Sequence, residues 1–125
     1  MAWKNFKLEE FACRHCGENN ISHELINKLQ GLRTELGFPF VITSGYRCKN
    51  HDAEKNKPFP GTHNLGIAVD ILCKSEEAFK IVTNASKHGF TGIGVSQKGK
   101  LGSRFIHLDI GTKKGGKLRP TIWSY

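Results

Sequence analysis

The residues of this chain best suited to chemistry are His63, Asp70 and His107. The first two lie in Pro60-Gly61-Thr62-His63-Asn64-Leu65-Gly66-Ile67-Ala68-Val69-Asp70-Ile71. Residues Ile67 to Leu72 make a short apolar, β-branched run of the kind that forms a buried strand. Asp70 interrupts that run, and burying a carboxylate there costs several kcal/mol unless a charge partner or a metal compensates. A second apolar run, Phe105-Ile106-His107-Leu108-Asp109-Ile110, carries another histidine. Strand alternation puts Phe105, His107 and Asp109 on one face and Ile106, Leu108 and Ile110 on the other. A lone strand histidine is usually just hydrogen-bonded, and a lone aspartate often caps a turn. Two histidines and a carboxylate together are a ligand set typical of a catalytic zinc, with one coordination position left for water.

Several elements must position these residues. Phe6 to Phe11 suggests a short helical turn, and Cys13-Arg14-His15-Cys16-Gly17 a loop. Its C-x-x-C spacing matches half of a structural zinc site, but no second C-x-x-C or H-x-x-x-H follows, so a packed or solvent-facing loop is expected. Ser22 as N-cap, Glu24 in the first turn and Ile21 stapled to Ile26 predict a helix. Leu25, Ile26, Leu29, Leu32 and Leu36 keep helical spacing up to Gly37. Phe40 to Thr43 reads as a strand, and Lys49 to Thr62 as a long loop with Pro58 and Pro60. A second helix starts at Ser75, carries Ala78, Phe79, Val82 and Ala85, and ends at Gly89. Phe90 to Val95 and Arg104 to Ile110 predict a hairpin, and the tail from Pro120 to Tyr125 is apolar enough to dock back. The order predicts an α+β fold with a central antiparallel sheet flanked by helices.

The 125 residues suit one domain, 1–125, with a single core and a monomeric state. The net charge of +8 favours a polyanion such as nucleic acid, an anionic membrane or an anionic cell wall. Only Lys113 to Arg119 clusters, and the remaining charge is expected to be solvated surface. No recognition helix, RNP-like strand or complete zinc finger is visible, so no nucleic-acid partner is expected. No apolar run reaches membrane-span length. Met1 to Lys7 lacks an apolar h-region, so synthesis without a signal peptide, in the cytoplasm, is expected. Free thiols are then expected at Cys13, Cys16 and Cys48, with Cys73 a small core residue.

Ser44-Gly45-Tyr46-Arg47, then Thr62-His63-Asn64-Leu65-Gly66-Ile67-Ala68-Val69-Asp70, then Phe105-Ile106-His107-Leu108-Asp109 resemble the zinc D-Ala-D-Ala carboxypeptidase family of cell-wall peptidases. Its relatives include the vancomycin-resistance dipeptidase, phage L-alanyl-D-glutamate endopeptidases and the Hedgehog signalling domain. The H-x-x-G-x-A-x-D segment is the specific part, and the resemblance extends from Glu10-Phe11 to Trp123. It implies a Hedgehog/DD-peptidase-like α+β domain with one zinc ion on His63, Asp70 and His107. Arg47 would hold a substrate carboxylate or polarise the scissile carbonyl, and Ser44 would contact substrate or end its strand. The implied reaction is hydrolysis of peptidoglycan stem or cross-link peptides, of carboxypeptidase or endolysin type. Zinc brings the pKa of bound water toward ~7, and a carboxylate takes its proton. A phage or prophage lysis enzyme released through a holin, or a chromosomal protein, fits the size.

The chain departs from several relatives at one point. They carry an acid three residues before the last histidine ligand, where this chain has Arg104. Asp109 is then the candidate base, or a group that orients His107, with His51 and Asp52 as fallbacks for proton transfer or cleft lining. The same departure allows a wall-binding module that keeps its metal and has lost catalysis.

Overall fold

The computed structural model describes residues 3–125. Helix α1, His23–Leu36, begins where Ser22 Oγ accepts the Leu25 amide at 3.3 Å and ends at Gly37, which adopts φ 78°. Its apolar stripe of Leu25, Ile26, Leu29 and Leu32 is buried, and Ile21 beside it is buried too. Full burial of each such side chain contributes about 1.5–3 kcal/mol.

Five strands follow: β1 (Val41–Ser44), β2 (Ala68–Leu72), β3 (Gly92–Ser96), β4 (Phe105–Asp109) and β5 (Thr121–Ser124). They form one sheet in the order β1-β2-β4-β3-β5. The β1–β2, β2–β4 and β3–β4 pairs are antiparallel, so the predicted hairpin is present. The tail does dock back, and it does so as a strand: β5 runs parallel to β3, which makes the sheet mostly rather than wholly antiparallel.

Alternation divides the sheet into two chemically distinct faces. Val69 and Ile71 of β2 and Ile106 and Leu108 of β4 join the core with α1 and with α2 (Ser75–Asn84). The opposite face carries Asp70, His107 and Asp109. Helix α2 differs from expectation in its buried stripe. Ala78 and Ile81 point into the core, whereas Phe79 is 68% exposed. The helix also stops at Asn84, and a 3₁₀ turn, Ala85–His88, carries the chain to Gly89. Among the described residues, no helix is long and apolar enough to cross a membrane.

Candidate metal centre

Register builds the centre. Asp70 pairs with His107 across β2 and β4, His107 with Gly94 across β4 and β3, and Gly94 with Trp123 across β3 and β5. Ser44 of β1 sits opposite Asp70, next to an irregularity in the pairing. One transverse row therefore places a carboxylate, an imidazole, a bare backbone and an indole side by side. The row one step along pairs Ala68, Asp109, Gly92 and Thr121.

The two glycines give room to the large side chains beside them. A Cβ at Gly92 would collide with the Asp109 carboxylate, and one at Gly94 would come within 2.8 Å of the Trp123 indole. Trp123 thereby packs on the site, its ring centroid 5.0 Å from that of His107.

His63 arrives from the turn before β2. Its Nδ1 donates to the Gly45 carbonyl at 2.7 Å, because a carbonyl can only accept, and the lone pair of Nε2 is left facing Asp70 Oδ1 at 3.2 Å. His107 is held the other way round. Its Nε2 donates to Asp109 Oδ2 at 2.7 Å, and Nδ1 faces the same Asp70 Oδ1 at 3.3 Å. That Nδ1 is buried and has no aligned hydrogen-bond partner. In a tetrahedral zinc shell with bonds of about 2.0–2.1 Å, neighbouring ligand atoms lie roughly 3.4 Å apart. The two distances to Asp70 Oδ1 thus match the edges of a metal's ligand shell, all three atoms lie within 4.8 Å of one another, and the orphaned Nδ1 is the lone pair such an ion would take up. His63, Asp70 and His107 could together hold a metal.

Electrostatics favour a cation here. Burial pushes the Asp70 carboxyl up, but the His107 and His63 imidazoles, when protonated, outweigh that and hold it well below the usual carboxylate range. Burial alone would lower His107, yet the Asp109 and Asp70 carboxylates on either side raise it. Asp70 thus stays ionised beside the two imidazoles, with one oxygen, Oδ1, turned to the point where their free nitrogens meet.

Asp109 lies behind His107, away from Asp70, and is fully buried. Its Oδ1 accepts from the Gly111 amide at 3.0 Å and Arg119 Nε at 2.9 Å, and its Oδ2 from His107 Nε2 and Arg119 Nη2, both at 2.7 Å. Four donors saturate a carboxylate. The role as proton-accepting base considered for Asp109 therefore meets a geometric obstacle, whereas orienting the His107 ring suits it well.

Arg47 reaches the other oxygen of Asp70. Its Nη2 donates to Asp70 Oδ2 at 3.2 Å and its Nε to Ser44 Oγ at 3.0 Å. Ser44 thus orients Arg47, and it does not line the cavity. Nη1 lies 3.4 Å from Glu54 Oε2, which also receives Lys57 Nζ at 3.0 Å.

A cavity of about 300 Å³ opens over the centre, lined by His63, Asp70 and His107 with Arg47, Lys57, Lys117, Arg119, Phe105, Trp123 and Tyr125 among others. Asp70 is its only carboxylate among the described residues. His51 and Asp52 do not line it: His51 Nδ1 accepts the Ala53 amide at 3.0 Å, and Asp52 pairs with Lys55. Arg104 is turned away as well, donating to the Gly99 carbonyl.

Sequence reasoning passed over Glu54, Arg119, Trp123 and Tyr125. The available signals were weak: a buried acid inside a polar loop, and glycines opposite bulky residues in strands whose pairing was unknown. Among curated proteins, no match to this chain emerged. The family model for Peptidase M15 matches residues 4–109, a segment that contains His63, Asp70, His107 and Asp109 and stops short of Arg119 and Trp123, so the chain belongs to this family of metallopeptidases.

Proposed function

We propose that the protein is a zinc-dependent peptidase that hydrolyses stem or cross-link peptides of peptidoglycan, as a D-Ala-D-Ala carboxypeptidase or an endolysin-type endopeptidase. The observation that carries this reading is the convergence of His63 Nε2, Asp70 Oδ1 and the orphaned His107 Nδ1 at the floor of an open, cation-lined cavity. When bound, zinc supplies Lewis-acid polarisation of a carbonyl and a nucleophile at neutral pH.

The chain's own residues supply the rest. His63 and His107 are each fixed in one tautomer by the partner on the far nitrogen, Gly45 O or Asp109. Arg47 has five N–H donors, of which three face Ser44, Glu54 and Asp70, so two remain for a substrate carboxylate or carbonyl. Lys57 and Lys117 at the cavity wall add attraction for the carboxylates of wall peptides. Phe105, Trp123 and Tyr125 form an apolar wall that limits water on one side.

A second reading is favoured by one observation: no carboxylate other than Asp70 lines the cavity among the described residues, so proton transfer from water lacks a dedicated acceptor. A wall-binding module that keeps its metal and hydrolyses weakly has the same floor. Digestion of purified peptidoglycan with and without chelator, read by mass spectrometry, separates the two. New amine termini that disappear with chelator and return with zinc support the peptidase and name the bond. Stoichiometric zinc with no new termini, but with retention on the wall, would establish the module.

A further inference from the structure

Cys13, Cys16 and Cys48 form a second cluster with no part in the centre described above. Their sulfurs all lie within 4.8 Å of one another. Cys13 and Cys48 are buried and form a small separate core with Tyr46, while Cys16 is exposed. All are free thiols. The Cys48 amide donates to Cys13 Sγ at 3.3 Å. The turn holding them is closed by Gly17 N donating to Cys13 O at 2.9 Å and Cys13 N to Glu18 O at 2.7 Å, with Gly17 at φ 80°. His15, inside the turn, places Nδ1 3.5 Å from Cys48 Sγ. Around tetrahedral zinc, S···N and S···S edges are roughly 3.5 and 3.8 Å.

We propose that Cys13, Cys16 and Cys48, with His15 as fourth ligand, bind a structural zinc ion. Three sulfurs converge, and the His15 ring stands against one of them, within reach of the fourth position, whereas a disulfide would engage two sulfurs and leave the third unexplained. With His15 turned onto the ion, the set becomes a closed Cys₃His shell, without the open position of a catalytic site. Exposed Cys16 gives the ion its way in. Binding releases the thiol protons to solvent and changes no oxidation state. The ion ties the N-terminal loop to the segment that carries Arg47: Cys48 follows Arg47 directly, the Tyr46 amide donates to Phe11 O at 2.8 Å, and the Arg47 amide to His63 O at 3.2 Å. It therefore stiffens one wall of the cavity from behind, and it does so whether or not the chain cleaves peptides.

The test uses the full chain with His63→Ala and His107→Ala combined, which removes the imidazoles of the other centre. Loaded with cobalt(II), this variant is expected to bind one ion, with near-ultraviolet sulfur-to-cobalt charge transfer and strong tetrahedral d–d absorption. Adding Cys48→Ser should abolish both. In the wild type, zinc should protect these three thiols from a thiol reagent, and chelator should release them, a readout that needs no variant. His15→Ala should weaken cobalt binding at least 10-fold, and unchanged affinity would overturn its place as fourth ligand. A folded protein without charge-transfer bands, thiols equally reactive with and without zinc, or a Cys13–Cys48 disulfide seen as the loss of two hydrogens would overturn the site.

Discussion

The two ligand clusters of this small domain are held by different means. His63, Asp70 and His107 are set by a sheet: two sit opposite each other on neighbouring strands, and the third leans in from the turn that starts one of them. Cys13, Cys16 and Cys48 are set by two loops that meet outside the main core. The first has a cavity above it and polar partners behind every ligand. The second has one ligand, Cys16, exposed and two buried, with the Cys48 amide donating to Cys13 Sγ. Strand register fixes a geometry while leaving one face open to substrate. Loops can surround an ion and gain most of their order from it.

The comparison is broken most directly at His107. His107→Ala, or chelation of the wild type, should lower peptidoglycan hydrolysis by about 10³-fold or more, consistent with loss of Lewis-acid stabilisation worth several kcal/mol. Circular dichroism should stay unchanged, and added zinc should rescue only the chelated wild type. Cys16→Ser, by contrast, should lower the melting temperature and leave measurable hydrolysis. If Cys16→Ser silences the enzyme as completely as His107→Ala, the division into a working and a structural cluster collapses.

Asp109→Asn tests the support behind the sheet-borne cluster. Loss of the charged partner on His107 Nε2 should weaken zinc binding or activity by about 10–100-fold, measured by competition with a chromophoric chelator. A drop as large as that of His107→Ala, with zinc affinity intact, would restore Asp109 to proton transfer.

A smaller effect is expected at the bare backbone in the row. Gly94→Ala drives a methyl against the Trp123 indole, and such overpacking costs about 1–3 kcal/mol. Urea denaturation should detect it, with tryptophan fluorescence reporting the displaced ring. An unchanged midpoint and spectrum would show that Trp123 does not pack as described.

The mildest expectation concerns the fourth cysteine. Burial pushes the Cys73 thiol up to about 12, and it donates to the Ile71 carbonyl. Its proton is therefore held in the folded chain at pH values where the unfolded thiol, with pKa about 8.5, has lost it. Its contribution to stability is intact below about 8.5 and declines as pH rises from there toward 12. At neutral pH, alkylation read by peptide mapping should reach the exposed Cys16 fastest after metal removal and spare Cys73. Equal labelling of all four would contradict its burial.

The legible part of the molecule was the part encoded by neighbouring residues. Ser22, Glu24 and Gly37 bound α1 because capping is local, and a carboxylate inside the Ile67 to Leu72 run marked itself as needing a partner. His107 and Asp109 shared a face by strand alternation alone. What escaped depended on pairings distant in sequence. Arg119 comes to Asp109, and Trp123 to His107, only because β5 adds beside β3. Cys48 completes the C-x-x-C from another loop, so the usual second motif of a zinc site is absent from the sequence. Phe79 was misplaced for a simpler reason: on a short helix both it and Ile81 fit an apolar spacing, and only packing against the sheet decides between them.

The transverse row from Asp70 through His107 and Gly94 to Trp123 also acts as a checksum on folding. A slip of β4 by one residue against its neighbours would bring Ile106 or Leu108 to the place of His107 and drive the imidazole toward the helices. A sheet with β2 and β4 out of register cannot assemble the ligand set, so metal uptake at this centre counts only molecules in which those two strands are correctly paired. With the cysteine cluster silenced by Cys48→Ser, a colour change on cobalt loading would then measure the fraction of a refolding mixture with β2 and β4 properly paired, before any substrate is added.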